Sequence, residues 1–545
     1  MTVASYPEFF NDVFGPVMQP GSSSHTAGPC RLGHLAGDLL GEPVAKVRIL
    51  LDRAGSFAGT FGIMAEDRAM VAGVLGLLPD DQRLFRAFEL AEEAGVDVGF
   101  EFGDLVESGH PNAIKFELTG RSGLMVELVG DSTGGGMVET AVVDGFPLRT
   151  IGDAYVLLVY DPAEQLEEKR LAGLRARLHG LSRSQVARAE GRGALYVFEA
   201  AAEPDLPALQ ELLGDAALHG RLALLRPLLP VLVRPDRRPQ LFDTMTRWRE
   251  VAEERGVGLW EVAVQYEMDA SGWPRARVVD RMRQLATLMR RQTRAAYEEG
   301  VSVPTSPFKP DFTQRWVRHA DSADRLCDEL TAQTIKWAYG AGAGIPGIEN
   351  VPGPMGGGGG YVYAALSAVA DARGLSDDDL LRGLFVAAGI GAIAYTRTAP
   401  TGEVIGCTGE AGVCGAMAAA AIVEMVGGAS QQVEDAASLA LQAFTGMPCD
   451  PIPGGLSQPC RSRIMAATCM AHVFADLALA GHSAVLPLHE AVDVADAVGR
   501  RLPPELLCTS EGGACATPTA AACRAAYRRW FDESRPEERP PGNLI

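Results

Sequence analysis

Three cysteines in the second half of the chain constrain its fold most, because each stands in a loop punctuated by glycine or proline beside a small-residue helical stretch. Cys407 lies in Gly406-Cys407-Thr408-Gly409-Glu410-Ala411-Gly412-Val413-Cys414, Cys449 in Gly446-Met447-Pro448-Cys449-Asp450-Pro451, and Cys460 in Gly454-Gly455-Leu456-Ser457-Gln458-Pro459-Cys460. None forms a CxxC pair, which disfavours a tetrahedral zinc site built from knuckles. Three loop thiolates converging on one point suit a [4Fe–4S] cluster with one iron left open, and an open iron is a Lewis acid for a substrate hydroxyl. Free cysteine is more often a small buried thiol, and Cys327, Cys414 and Cys469, in apolar helical stretches, read that way. Around Cys449 and Cys460 the prolines fix the backbone beside the thiol, which mere packing does not require.

Composition bounds the partners. A chain of 545 residues, 47% of them apolar, can fill two to four domain cores. A formal charge of −20 argues against nucleic acid or an anionic membrane as a general partner. No cationic segment with a following apolar run opens the chain, and the Ala-rich stretch 411–427 is too short and too weakly apolar to span a bilayer. A soluble cytoplasmic protein with no membrane and no nucleic-acid partner is therefore expected. Its ten cysteines read as reduced thiols and cluster ligands.

Pattern divides the chain into a multidomain protein. Residues 1–150 read as an α+β domain: Val44–Leu51 alternates as a half-buried strand, 64–78 has helical spacing, and Ile114–Leu118 and Leu124–Val129 read as strands. Residues 151–235 give strand, helix, strand pair, helix and a last apolar segment, the order of a ferredoxin-like unit. The Pro/Arg-rich stretch 234–239 is the best linker. Residues 236–545 are mainly α, with 3.6-residue periodicity over 240–254, 259–268, 277–298 and 324–339.

The cysteine loops resemble, in order and spacing, the catalytic domain of the iron–sulfur-dependent L-serine dehydratases (L-serine ammonia-lyases). The resemblance extends to both ends. Gly21-Ser22-Ser23-Ser24-His25-Thr26-Ala27-Gly28-Pro29 is similar to that family's serine-rich histidine motif, and Gly109-His110-Pro111-Asn112-Ala113 to its His-Pro-Asn loop. Leu502-Pro503-Pro504-Glu505 and Thr509-Ser510-Glu511-Gly512-Gly513 resemble its tail. The resemblance implies a beta-like domain over 1–150, an ACT-like ferredoxin-fold module over 151–235, either effector-binding or a plain dimerisation module, and an alpha-like catalytic domain over 236–545. It implies a homodimer acting on a small amino-acid substrate, with a [4Fe–4S] cluster on Cys407, Cys449 and Cys460.

The expected reaction is loss of water and ammonia from L-serine or a related β-hydroxy amino acid. His25 is the candidate base, since it alone among the histidines stands in a hydroxyl-rich, glycine-bounded loop. Ser22, Ser23, Ser24 and Thr26 can bond a carboxylate or fix an imidazole tautomer, and His110 and Asn112 would orient the amino acid. Departures from the family leave the substrate open. Asn350-Val351-Pro352-Gly353-Pro354-Met355 followed by Gly356 to Gly360 stands where relatives carry an Ala-Pro-Thr-x-Gly loop, and the five glycines suggest a wider or remodelled pocket wall. Cys508 replaces an acidic residue of the tail motif, and the segment 62–68 lacks a histidine that relatives often show. The chain ends Gly542-Asn543-Leu544-Ile545 rather than in a cysteine; Cys515 or Cys523 could cap the open iron instead. Elimination from another β-substituted amino acid such as cysteine, elimination from a specialised biosynthetic substrate, and a non-catalytic iron–sulfur sensor are the alternatives.

Overall fold

The structure, a computed structural model, describes residues 6–62, 64–214, 221–305, 310–354, 356–452, 459–509 and 511–533. It shows a multidomain α/β protein. Residues 453–458, with Ser510, His219 and the C-terminal residues 534–545, lie outside the described residues.

The first unit is a mixed six-stranded sheet in the order β2-β1-β3-β4-β5-β6. Its strands are β1 (Val44–Asp52), β2 (Asp97–Gly103), β3 (Ala113–Gly120), β4 (Met125–Gly134), β5 (Met137–Val143) and β6 (Phe146–Pro147). Only β1 and β2 pair in parallel. Helices Gly28–Leu40 and Glu66–Val74 share the apolar core of this sheet. They cross closely because small residues meet there: a Cβ on Gly73 would stand 1.9 Å from the Cys30 carbonyl oxygen. The turn from β4 to β5 uses Gly134, Gly135 and Gly136, all at positive φ, and is more than a turn. A Cβ on Gly134 would stand 2.2 Å from the Thr401 side chain, so the glycine lets the sheet touch the helical unit.

The second unit has four antiparallel strands, β7 (Tyr155–Asp161), β8 (Leu181–Ala189), β9 (Gly193–Ala200) and β10 (Leu222–Leu225), in the order β10-β7-β9-β8. Helices Glu168–Arg177 and Leu206–Leu213 cover one face through Leu171, Leu174, Leu209 and Leu213. The alternate residues Val156, Leu158, Leu195 and Val197 join the core of the first unit.

The third unit is a helical bundle. At its centre Val413–Met425, buried on nearly every side, packs against Asp377–Arg397, Ser430–Ala443, Cys460–Leu479 and Gly358–Arg373. Small Ala and Gly side chains let helices approach it from all directions. Asp377–Arg397 and Cys460–Leu479 are long and apolar enough to cross a bilayer, but 78% of the apolar window of the first is buried inside the fold. The start of the chain joins this bundle rather than the first sheet. Phe9 stacks on Tyr266 with ring centroids 5.0 Å apart, and its N–H donates to Glu267 across 2.8 Å.

The glycine run corrects an expectation. Helix Gly358–Arg373 begins inside it, and the glycines are crowded rather than open. A Cβ on Gly358 would lie 2.2 Å from the Gly353 carbonyl oxygen, on Gly360 2.4 Å from Gln292, and on Gly356 2.6 Å from the Gly21 carbonyl oxygen. The missing side chains are replaced by neighbouring backbone at Gly356 and Gly358 and by the Gln292 side chain at Gly360, so the wall is tightly packed.

Candidate active site

Two segments of the site share one local device. Ser23–Ala27 is a single π-helical turn that runs into helix Gly28–Leu40, and Thr408–Gly412 is another that runs into Val413–Met425. Such turns re-aim side chains at the start of a helix. In the first, Ser22 caps the turn by accepting from the His25 N–H across 3.2 Å, and Ser132 Oγ donates to the Ser24 carbonyl across 2.7 Å.

The His25 ring is 1% exposed and its tautomer follows from its neighbours. Asn112 Nδ2 faces two acceptors, the Ser132 carbonyl at 3.3 Å and Glu403 Oε1 at 3.4 Å. Its Oδ1 therefore accepts from Ser56 Oγ. Ser56, having given its proton to Asn112, accepts from His25 Nε2–H at 3.3 Å. That leaves Nδ1 as the basic nitrogen, with Ser24 Oγ 2.9 Å away. Burial pushes the His25 pKa down, and the Glu403 carboxylate opposes this.

The cysteines lie on the facing side. Cys407 and Cys449 both hydrogen-bond to the Cys460 sulfur, which holds their thiols protonated and draws Cys460 well below the ordinary thiol range. Cys449 also bonds Cys508, a fourth thiol. Arg463 ties the Cys449 loop to helix Cys460–Leu479 by donating to Asp450 at 2.7 Å and to the Pro448 carbonyl at 2.5 Å. Asp450 also accepts from the Ala514 N–H at 2.7 Å.

One cavity of about 110 Å³ joins these groups. Ser22, Ser23, Ser24 and His25 line it from the first unit; Glu403, Glu410, Cys449, Cys460, Arg461 and Cys508 line it from the bundle. Asn350, Gly356, Gly357 and Tyr361 belong to the same wall. Burial, with Glu403 and Cys460 nearby, keeps the Glu410 carboxyl protonated well above the usual carboxylate range. Thr26, His110, Asn112 and Cys407 are not among the lining residues. Thr26 Oγ1 donates to the Met64 carbonyl at 2.9 Å, His110 Nδ1 accepts from the Asn112 N–H at 3.1 Å, and Asn112 sets the His25 tautomer from behind. Among the described residues no three His, Cys, Asp or Glu side chains surround one point as a single metal ion requires. A four-iron cluster asks for something else, one thiolate on each of several irons. The donor set fits that: three buried thiols beside a cavity, with Cys407 and Cys449 each bonded to the sulfur of Cys460.

Sequence reading did not single out Glu403, Glu410, Arg461 and Tyr361 as site residues, and noted Cys508 only as a departure. Glu403 and Glu410 carried a signal, flanking Cys407 in its loop; Tyr361 carried none, since it sits in an apolar helix.

Residues 254–514 match the family model described as "Serine dehydratase alpha chain". The chain is 35% identical over 154 residues to the L-serine dehydratase beta chain of Peptoniphilus asaccharolyticus, covering 28% of this chain and 68% of that one. It is 26% identical over 284 residues to the alpha chain of the same organism, covering 52% and 97%. Over 282 residues it is 28% identical to a Bacillus subtilis protein named "Probable L-serine dehydratase, alpha chain", covering 51% and 93%. With both kinds of chain matched within one polypeptide, this protein belongs to the L-serine dehydratase family as a fused form of its beta and alpha parts.

Proposed function

We propose that this chain is a [4Fe–4S]-dependent ammonia-lyase that eliminates water and ammonia from L-serine or a related β-hydroxy amino acid and yields a 2-keto acid. The observation that carries the reading is the meeting of His25 with the thiols of Cys449, Cys460 and Cys508 around one cavity. A Cα–H is a very weak acid and hydroxide a poor leaving group, so the elimination needs a placed base and help for the departing oxygen. Bound by Cys407, Cys449 and Cys460, a cluster would supply Lewis acidity to the substrate hydroxyl.

The chain's own residues supply the rest. His25 Nδ1, paired with Ser24, takes the Cα proton while Nε2–H stays on Ser56. The imidazolium that forms is favoured by Glu403. Ser22 and Ser23 offer hydroxyls to the substrate's polar groups, and the protonated Glu410 holds a proton beside Cys460. Aminoacrylate, the elimination product from serine, then tautomerises and hydrolyses to pyruvate and ammonia. We read the four-stranded unit as a ferredoxin-like, ACT-like module whose edge strand β8 is suited to pairing two copies in a cytoplasmic homodimer; light scattering on the purified protein tests the dimer. The activity is tested by anaerobic reconstitution with iron and sulfide, followed by assay of ammonia and keto acid over a panel of amino acids. Release of neither from any β-hydroxy or β-substituted amino acid refutes the reading.

A further inference from the structure

We propose that Arg461 is the carboxylate-binding residue of this cavity and sets which amino acids enter it, an inference that rests on the elimination reading above. Arg461 follows Cys460 directly, in the first turn of helix Cys460–Leu479. Among the described residues lining the cavity it is the one arginine or lysine, and it shares that lining with Glu403, Glu410 and Cys460. The neighbouring Arg463 is engaged in the loop scaffold through Asp450 and Pro448.

Position orients the guanidinium. Its Nη2 donates to the Gly342 carbonyl across 3.1 Å, and Gly342 lines the cavity as well. Tyr361 lies against the same glycine; burial raises its phenol pKa, and the Arg461 charge opposes that rise. An amino acid brings its carboxylate into an enclosed cavity whose lining already includes two acidic side chains, Glu403 and Glu410. Desolvating that carboxylate without a cation would be strongly unfavourable, and arginine's planar fork matches its two oxygens.

Arg461 also lines a second cavity of about 360 Å³, with Phe312, Tyr339, Met465 and Cys469. Arg461 is thus a lining residue of both cavities. Two sources could present the carboxylate: the α-carboxylate of any amino acid, or a second, side-chain carboxylate of a longer 3-hydroxy amino acid.

The test compares wild type, Arg461→Gln and Arg461→Lys in the anaerobically reconstituted protein, with L-serine and threo-3-hydroxyaspartate as substrates. Calorimetric binding of L-serine and of L-serinol, which lacks the carboxylate, gives a readout independent of turnover. For the α-carboxylate, Arg461→Gln raises KM for L-serine about tenfold or more with kcat little changed, Arg461→Lys recovers part of the loss, and serinol binding is indifferent to the substitution. For the side-chain carboxylate, 3-hydroxyaspartate alone suffers that loss. KM and binding within twofold of wild type for both acids in Arg461→Gln overturn the proposal while leaving the elimination reading intact. Binding that depends on Arg461 in a protein that turns over neither acid supports the anchor and overturns the reaction.

Discussion

Cys508 donates its backbone N–H to the carbonyl of Cys449 across 2.7 Å, and Cys449 donates its own to Leu506 across 2.8 Å. The loop carrying one thiol of the site is thus held as a short parallel bridge against the tail of the chain. Cys508 takes φ +64° to make this contact, a conformation rare for a residue with a side chain. The tail is therefore part of the active-site wall.

Cys449→Ala should lose the reconstituted cluster, because one of three iron-binding thiols is gone. Cys508→Ser should keep iron and sulfide near the wild-type content, since Cys407, Cys449 and Cys460 remain. Iron and sulfide analysis of each variant checks this; unchanged iron across alanine variants of all three ligands would show that the cluster lies elsewhere.

His25→Ala should retain its cluster and lose at least ~10²-fold in turnover. The diagnostic measurement is exchange of the substrate Cα proton with solvent deuterium, present in wild type and absent in the variant. A variant with more than half of wild-type turnover is incompatible with His25 as the base.

A base works in its unprotonated form. Because burial depresses the His25 pKa, the acid limb of kcat/KM should lie below the unperturbed value of 6.5. Glu403 opposes the depression, so Glu403→Gln should move that limb to still lower pH; movement upward would contradict the geometry. Stability follows the same linkage. As pH falls below about 6.5 the unfolded chain takes up a proton that folded His25 resists, so folding weakens on the acid side.

Gly358→Ala should destabilise the protein by about 1–3 kcal/mol or more, because its methyl would meet the Gly353 carbonyl, an atom that cannot rotate away. Gly357→Ala meets the end of the Gln292 side chain at 3.3 Å and should cost less. Denaturant melts of the two variants decide whether the run is packed or merely permissive.

Local periodicity made some elements legible and not others. Strand Val44–Asp52 and helix Arg275–Glu298 match their expected spans within two residues, since one face of each is regularly apolar. Within 151–235 the first expected helix is Glu168–Arg177, and the last expected apolar segment is a strand for just Leu222–Leu225. In the last segment Ala223, Leu225, Leu228 and Val233 pack against the core of the first unit rather than forming a face of their own, which leaves no period. Five glycines look the same in sequence whether they open a space or let backbones touch. Only the neighbours at Gly21, Gly353 and Gln292 distinguish the two.

The sequence by itself determined the chemical groups and their local settings: a histidine in a hydroxyl-rich turn, and thiols in loops stiffened by proline. Those properties depend on residues adjacent in the chain. Tertiary structure decided which of these groups share a cavity. It brought Ser22 to His25 against Cys449, Cys460 and Cys508, moved His110 and Asn112 behind the wall, and added Glu403, Glu410 and Arg461. The Asn112 to Ser56 to His25 relay that fixes the reactive nitrogen joins three segments. Such contacts depend on packing between distant elements, which one linear sequence does not display.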